Sequence, residues 1–263
     1  MRLLAKMNFI TQIGRHFLDT LEKLGTLIIF FIKTIVHCCR PPYFHQVILK
    51  QIIDIGFYSL PVVGLTTLFS GMVLALQSYN GFARFSSESA VATVVALSIT
   101  RELGPVLAGL MVTGRVGSSI AAELGSMKVT DQIDALKILA TDPFDYLIAP
   151  RVIACTLCLP VLVLIGDIIG ILGGFMVGVY KLGFNSSTYL NQTVSYLEIS
   201  DIVSGLIKAS VFGFLLGVMG CFHGYNCSRG AQGVGLATTN AVVSGCILIL
   251  IFNYLLTELF FTS

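Results

Sequence analysis

The chain has 263 residues, of which 55% are hydrophobic and only 11% are charged, with a formal net charge of +2. Soluble domains carry about 25% charged residues, so this composition disfavours a cytosolic enzyme, a disordered chain and a nucleic-acid-binding protein. It instead predicts an all-α integral membrane protein with several spans, because a chain of this length is long enough for several apolar helices that each cross a bilayer.

The first 50 residues are predicted to form a basic N-terminal helix that lies in the membrane interface. Residues 24–36 are apolar, but they number 13 and include Lys33, whereas a spanning helix needs about 20 apolar residues. A short apolar stretch with basic flanks is typical of a helix that lies on the membrane.

Five longer apolar runs predict five transmembrane helices within residues 52–261 of a single domain that covers residues 1–263. The runs are residues 52–76, 90–114, 147–180, 202–224 and 235–261. With five spans, twelve of the sixteen Lys and Arg residues fall on the N-terminal side of the membrane and two on the opposite side. Because basic residues concentrate in cytoplasmic loops, this bias predicts a cytoplasmic N-terminus.

Glycines recur every four residues along the third span. They are Gly166, Gly170, Gly174 and Gly178. Positions i and i+4 share one helix face, and small residues there let two helices approach closely in a membrane. The row fits either packing inside the chain or the seam of a homodimer, and the sequence leaves both open.

The segment between the second and third spans predicts a polar, amphipathic helix near residues 118–141 on the cytoplasmic face. It is either an ordinary interfacial helix or a coupling helix that docks on a cytosolic motor domain. Acidic and amide groups suit such a docking surface, and methionine suits an adaptable apolar contact. The candidates are Glu123, Met127, Asp131, Gln132 and Asp134.

Short motifs in this part of the chain carry a family resemblance. In order they are Glu102-Leu-Gly-Pro105, Gly114-Arg-Val-Gly117, Ala122-Glu-Leu-Gly125, Met127-Lys-Val, Gln132-Ile-Asp-Ala-Leu136, Asp142-Pro143 and Pro150-Arg-Val. This series resembles the MlaE/YrbE family of ABC transporter permeases, which includes permeases of plastid lipid importers. The resemblance implies a phospholipid transport subunit that forms a homodimer, docks one cytosolic ABC ATPase per copy and meets an MCE-domain substrate-binding protein on the outer face. It places the chain in a bacterial inner membrane, with a plastid inner envelope as the alternative.

Four charged residues lie well inside the predicted spans, more than five residues from either end, where charge is expensive and commonly functional. Asp167 and Lys208 are predicted to pair and fix helix register. For a phospholipid, Arg101 could attract the phosphate and Glu102 could balance it, while apolar side chains of neighbouring spans hold the acyl chains. The candidates for that apolar contact are Leu68, Val73, Leu76, Leu97 and Leu107.

The sequence contains no G-x-x-x-x-G-K-[ST] motif, which is the pattern that cradles nucleotide phosphates. We therefore expect a non-enzymatic subunit without cofactor or metal, driven by ATP hydrolysis in a partner chain. Two other functions stay open from the residues alone: a secondary transporter coupled to protons through Asp167 or Glu102, and a structural membrane scaffold.

Overall fold

A computed structural model describes residues 2–41, 44–82 and 90–261, and within these ranges the chain is helical and has no β-strand. The helices are α1 (Arg2–Cys38), α2 (His45–Phe82), α3 (Ala90–Val129), α4 (Gln132–Ile138), α5 (Phe144–Lys181), α6 (Ser186–Tyr196), α7 (Ile199–Tyr225) and α8 (Ala231–Phe261). The predicted all-α fold is confirmed.

Helices α2, α3, α5, α7 and α8 are long and apolar enough to cross a membrane, with 27 to 40 residues each. At a rise of about 1.5 Å per residue, even the shortest is about 40 Å long, which exceeds the roughly 30 Å of a bilayer's hydrocarbon core. The prediction of five spans is confirmed. Successive spans run in alternate directions, so α4 lies at one end of the bundle and α6 at the other; we call these the α4 end and the α6 end.

The polar segment after the second span is divided into two helices, which differs from the single helix predicted near residues 118–141. Helix α3 continues to Val129, Asp131 adopts a φ of 57°, and α4 then begins at Gln132. Helix α4 ends at Ile138, and Ala140 adopts a φ of 56°. A left-handed backbone costs a non-glycine residue about 1–2 kcal/mol. Helix α4 is thus delimited by two tight turns, which hydropathy does not reveal.

The glycine row of α5 packs inside the chain. A Cβ atom added to Gly166 would lie 3.2 Å from the side chain of Thr67 on α2, and one added to Gly170 would lie 3.1 Å from the carbonyl oxygen of the same threonine. Farther along the row, a Cβ on Gly178 would lie 2.7 Å from the ring of Tyr189 on α6. Gly174 is buried as well. Of the two interpretations that the sequence left open, the structure therefore shows packing within one chain.

Helices α2 and α5 approach each other closely at Gly71, which faces the backbone of Gly170. A Cβ atom added to Gly71 would overlap the carbonyl oxygen of Gly170. Because this oxygen belongs to a helix backbone, it cannot rotate away as the end of a side chain could. The two helices are in contact here without intervening side chains, as expected for helix association in lipid.

We predict that Gly71→Ala lowers the free energy of unfolding by about 1–3 kcal/mol, because the added methyl group forces α2 and α5 apart. The measurement is thermal unfolding of the purified protein in detergent. Gly81→Ala is the matched control, since Gly81 lies on the same helix and a Cβ atom added there would have no other atom within 4 Å. Equal stability of the two variants would contradict the backbone contact.

The second half of α1 is held against the bundle at the α4 end. Phe30 is 4% exposed, and its ring lies 5.3 Å from that of Phe144 and 5.4 Å from that of Phe222. Nδ1 of His37 lies 2.6 Å from Oδ1 of Asp145. The outward side of this part of α1 is apolar and exposed at Ile28, Ile29 and Ile32. These contacts fit a helix that lies along the membrane interface, which stays a prediction.

Candidate functional site

Two π-helical turns interrupt α3, at Ile99–Leu103 and Thr113–Gly117. Such turns are rare and frequently occur at functional sites. The first contains Arg101 and Glu102, and Pro105 follows it. Because proline has no N–H group, the Arg101 carbonyl cannot receive the usual bond from the residue four positions later. The Arg101 carbonyl therefore lacks its usual α-helical donor and can accept a bond from another helix.

Glu102 receives hydrogen bonds from two neighbouring spans. Its Oε1 atom accepts from Nζ of Lys208 on α7 at 2.7 Å and from the hydroxyl of Thr257 on α8 at 2.9 Å. Its Oε2 atom accepts from the side-chain amide of Asn253 on α8 at 3.1 Å. One carboxylate thus joins α3, α7 and α8.

Lys208 is completely buried, and its ammonium group is fully engaged. Besides the bond to Glu102, Nζ donates to the Thr257 hydroxyl at 2.8 Å and to the carbonyl oxygen of Arg101 at 3.0 Å. The last bond supplies the donor that Pro105 cannot provide. An ammonium group has three N–H donors, and these three bonds use all of them.

The predicted pair between Asp167 and Lys208 is wrong. Lys208 pairs with Glu102 instead, and Oδ1 of Asp167 has no hydrogen-bond partner in the described part of the chain. The reason is the direction in which each helix presents its charged residue. Asp167 faces Gly104 on α3, whereas Lys208 faces the π-turn next to Glu102.

Arg101 forms a second link from the π-turn to α7. Both its Nε and one terminal nitrogen lie 2.7 Å from Oδ1 of Asp201. Asp201 is 1% exposed and also caps the start of α7, where its Oδ2 atom accepts from the backbone N–H of Glu198. Asp201 was not among the site residues predicted from the sequence. An acidic residue in the first turn of a span was the available signal, since the helix dipole favours it there.

The side chains of Arg101 and Glu102 remain about one-third exposed, at 36% and 35%. A shallow pocket of about 360 Å³ lies nearby on the surface between α2 and α3. It is lined by Phe69, Ser70, Val73, Leu74, Gln77 and Leu103. Among the residues predicted to contact acyl chains, Val73 lines this pocket. Leu68 instead packs against Gly173 of α5, and the three others are half-buried: Leu76, Leu97 and Leu107.

At the α4 end, Asp134 lies between two lysines. Its carboxylate is 3.2 Å from Nζ of Lys128 and 2.8 Å from Nζ of Lys137. The hydrogen bond from Lys137 lowers the pKa of Asp134, and the bond from Lys128 adds to this effect. The same bond to Asp134 raises the pKa of Lys137. Asp134 is therefore satisfied within the chain.

Glu123 is also paired within the chain. Its Oε1 atom lies 2.9 Å from a terminal nitrogen of Arg151, which is 3% exposed, and Arg151 also donates to the carbonyl of Leu147. Met127 is half-buried against the core. Asp131 and Gln132 are exposed.

The most exposed apolar residues of this region lie at the C-terminal end of α4. Ile138 is 87% exposed and Leu139 is 73% exposed, and the left-handed backbone of Ala140 turns the chain away after them. This pair was not among the contacts predicted from the sequence, because Leu139 falls at helical spacing from Ile133 and Leu136.

One group at this end has the ligand types of a cation site. His37, Asp142 and Asp145 each offer an atom within 4.8 Å of the others. However, His37 and Asp145 already bond directly, and Lys33 and Lys137 line the same hollow. We interpret the contact between His37 and Asp145 as a hydrogen bond that ties α1 to the start of α5.

Comparison with known proteins identifies the family. Residues 48–259 match the family model described as Permease MlaE. The chain belongs to the MlaE permease family. It is 59% identical over 97% of its length to a probable ABC transporter permease protein of Rickettsia bellii, of which it covers 98%.

Two more distant relatives extend the MlaE comparison. The chain is 36% identical to the intermembrane phospholipid transport system permease protein MlaE of Haemophilus influenzae, over 97% of this chain and 98% of that protein. It is 39% identical to the Arabidopsis thaliana protein TRIGALACTOSYLDIACYLGLYCEROL 1, chloroplastic, over 81% of this chain and 61% of that protein. This MlaE-family chain is accordingly a multi-pass permease component of an ABC transporter.

In this MlaE-family permease, we predict that Glu102→Gln and Lys208→Met each lower the free energy of unfolding by about 3 kcal/mol, because each leaves a partner charge uncompensated. The double variant should lose less than the two single losses together. Thermal unfolding of all four proteins in detergent measures this coupling.

Lys181→Met is the control, since Lys181 is an exposed cation at the α6 end and its removal should change stability by less than about 0.5 kcal/mol. Strictly additive losses at Glu102 and Lys208 would contradict a direct ion pair.

Proposed function

We propose that this chain is the permease subunit of an ABC transporter that moves phospholipid between a bacterial inner membrane and an MCE-domain partner, driven by a separate cytosolic ATPase. The observation that carries the proposal is the near full-length match to the Haemophilus influenzae protein that is named for intermembrane phospholipid transport. The lack of a phosphate-cradling G-x-x-x-x-G-K-[ST] motif in the sequence supports an ATPase in a partner chain.

The lipid headgroup is proposed to meet Arg101 and Glu102 at the first π-turn. A guanidinium group matches a phosphate in charge and in bidentate geometry. Arg101 is 36% exposed although it pairs with Asp201, so part of it is accessible. The pocket beside Val73 and Leu103 is suited to an acyl chain, because apolar groups line most of it. Polar contacts next to an apolar pocket are the features that an amphiphilic substrate requires.

The ATPase is proposed to dock at the α4 end. Glu123 and Asp134 already form ion pairs inside the chain, so the exposed residues are better candidates for direct contact. Asp131 and Gln132 offer polar groups, and Ile138 and Leu139 offer an apolar anchor. An exposed apolar pair rimmed by polar residues is typical of a protein interface.

The proposed assembly is a homodimer with its N-terminus and α4 end in the cytoplasm and its α6 end toward the MCE-domain partner. The distribution of basic residues supports this orientation, with twelve on the N-terminal side and two on the other. Lipid transfer that depends on ATP would distinguish this function from that of a proton-coupled carrier. Lipid transfer of any kind would distinguish it from that of a structural scaffold.

For the lipid path, we predict that Arg101→Ala/Asp201→Asn lowers ATP-driven transfer of a fluorescent phospholipid by the reconstituted complex about tenfold or more, as for a lost hydrogen bond to a charged phosphate. The double change avoids leaving the buried Asp201 carboxylate unpaired. Arg101→Lys is the control, since it keeps the positive charge and should retain more transfer. Full transfer by the double variant would rule out Arg101 as a headgroup contact.

For the ATPase contact, we predict that Leu139→Glu and Asp131→Arg reduce co-purification of the ATPase while the permease still inserts into membranes. An interface anchor that is lost commonly costs about 2 kcal/mol of binding free energy or more. Val194→Glu is the matched control, because Val194 is also 73% exposed but lies on α6 at the opposite end. Unchanged ATPase recovery with both α4-end variants would refute the assignment.

A further inference from the structure

Asp167 is a buried acidic group that the ion pairs of the site leave out. It lies on α5 and is 6% exposed. Its Oδ1 atom has no hydrogen-bond partner among the described residues. Asp201 is buried to a similar degree but pairs with Arg101 at 2.7 Å. A negative charge on Asp167 would therefore lie in the interior of the bundle without a compensating cation.

The carboxyl group of Asp167 lies against Gly104 on α3, which has no side chain. A Cβ atom on Gly104 would overlap Oδ1 of Asp167, so the carboxyl group occupies the space that glycine leaves open. The same Cβ position lies 2.9 Å from the carbonyl oxygen of Ile99. The carboxyl oxygen and this carbonyl oxygen therefore lie beside the same face of Gly104, at the edge of the first π-turn.

Both of these oxygens are acceptors when the carboxyl group is ionised, so a direct hydrogen bond between them requires a proton on Asp167. The Gly104 N–H is already donated to Ile99, and Pro105 has no N–H. A carbonyl oxygen has a second lone pair and can accept a further bond. On α5, neither Gly166, which precedes Asp167, nor Gly170, about one turn beyond it, has a side-chain donor.

We infer that Asp167 is a proton-binding site. Its side chain is present as the neutral carboxylic acid, and its O–H group donates a hydrogen bond to the carbonyl oxygen of Ile99 in the first π-turn. A buried carboxylate without a cation costs so much free energy that it takes up a proton instead. The bond fixes the start of the turn that holds Arg101 and Glu102, so Asp167 acts as a positioning residue. This role in transport rests on the proposed function, whereas the protonation itself does not.

Infrared spectroscopy of the purified full chain in lipid nanodiscs at neutral pH tests the protonation. A carboxylic acid has a C=O stretching band that an ionised carboxylate lacks. We expect this band in the difference between wild type and Asp167→Asn. Asp54→Asn makes the same chemical change at an exposed position and should show carboxylate bands instead. Carboxylate bands for Asp167, whether from a bare ion or from one with a bound cation, would overturn the inference.

Lipid transfer by the reconstituted complex tests the positioning role. Asp167→Asn keeps a donor of nearly the same shape, and we expect its transfer rate to stay within about twofold of wild type. Asp167→Leu has no donor and should lower the rate about two- to tenfold, the effect of one lost hydrogen bond. Equal rates for the two variants, per unit of folded complex, would overturn the positioning role. Failure of the wild type to transfer lipid would count against the proposed function, while the infrared result would still decide the protonation.

Discussion

The hydrocarbon core of a bilayer offers no water to solvate a charge or a free carbonyl group, and the arrangement of this bundle follows from that constraint. Lys208 is 0% exposed, and its three N–H groups go to a carboxylate, a hydroxyl and a carbonyl. Asp201 is 1% exposed and is bonded by Arg101. Arg101 and Glu102, which are consecutive in one π-turn, therefore compensate the buried charges of Asp201 and Lys208 on α7. These two ion pairs fix α3 against α7 at two points.

The π-turn and Pro105 act together in this arrangement. Proline removes one helical hydrogen bond, and the carbonyl that it leaves free is bonded by Lys208. The same ammonium group reaches Glu102, which in turn binds Asn253 and Thr257 on α8. A local defect in one helix thus becomes the junction of three helices. Because Arg101 and Glu102 remain about one-third exposed, the junction is a structural joint that leaves part of its charge accessible.

Hydropathy predicted the five spans and the all-α fold, since spanning helices need long apolar runs and the chain has five of them. Hydropathy could not predict which charged side chains pair with each other inside the membrane. The positions of Lys208 and Asp167 along their spans made an ion pair between them a reasonable prediction. The direction in which each side chain faces, however, is set by close helix contacts at glycines, such as Gly71 with Gly170 and Gly104 with Asp167. At the α4 end, composition identified the polar segment, whereas the pairing of Glu123 with Arg151 required the folded position of a residue 28 positions away.

One helix connects the two regions to which we assign a function. Helix α3 has 40 residues and is therefore about 60 Å long. It contains the first π-turn with Arg101 and Glu102, and it ends at the turn that precedes α4. The second π-turn, Thr113–Gly117, lies between them and packs against α8. Such π-turns frequently occur at functional sites. Under the proposed function, α3 is the element that links an ATPase docked at the α4 end to the ion-pair junction, and the second π-turn lies on that path.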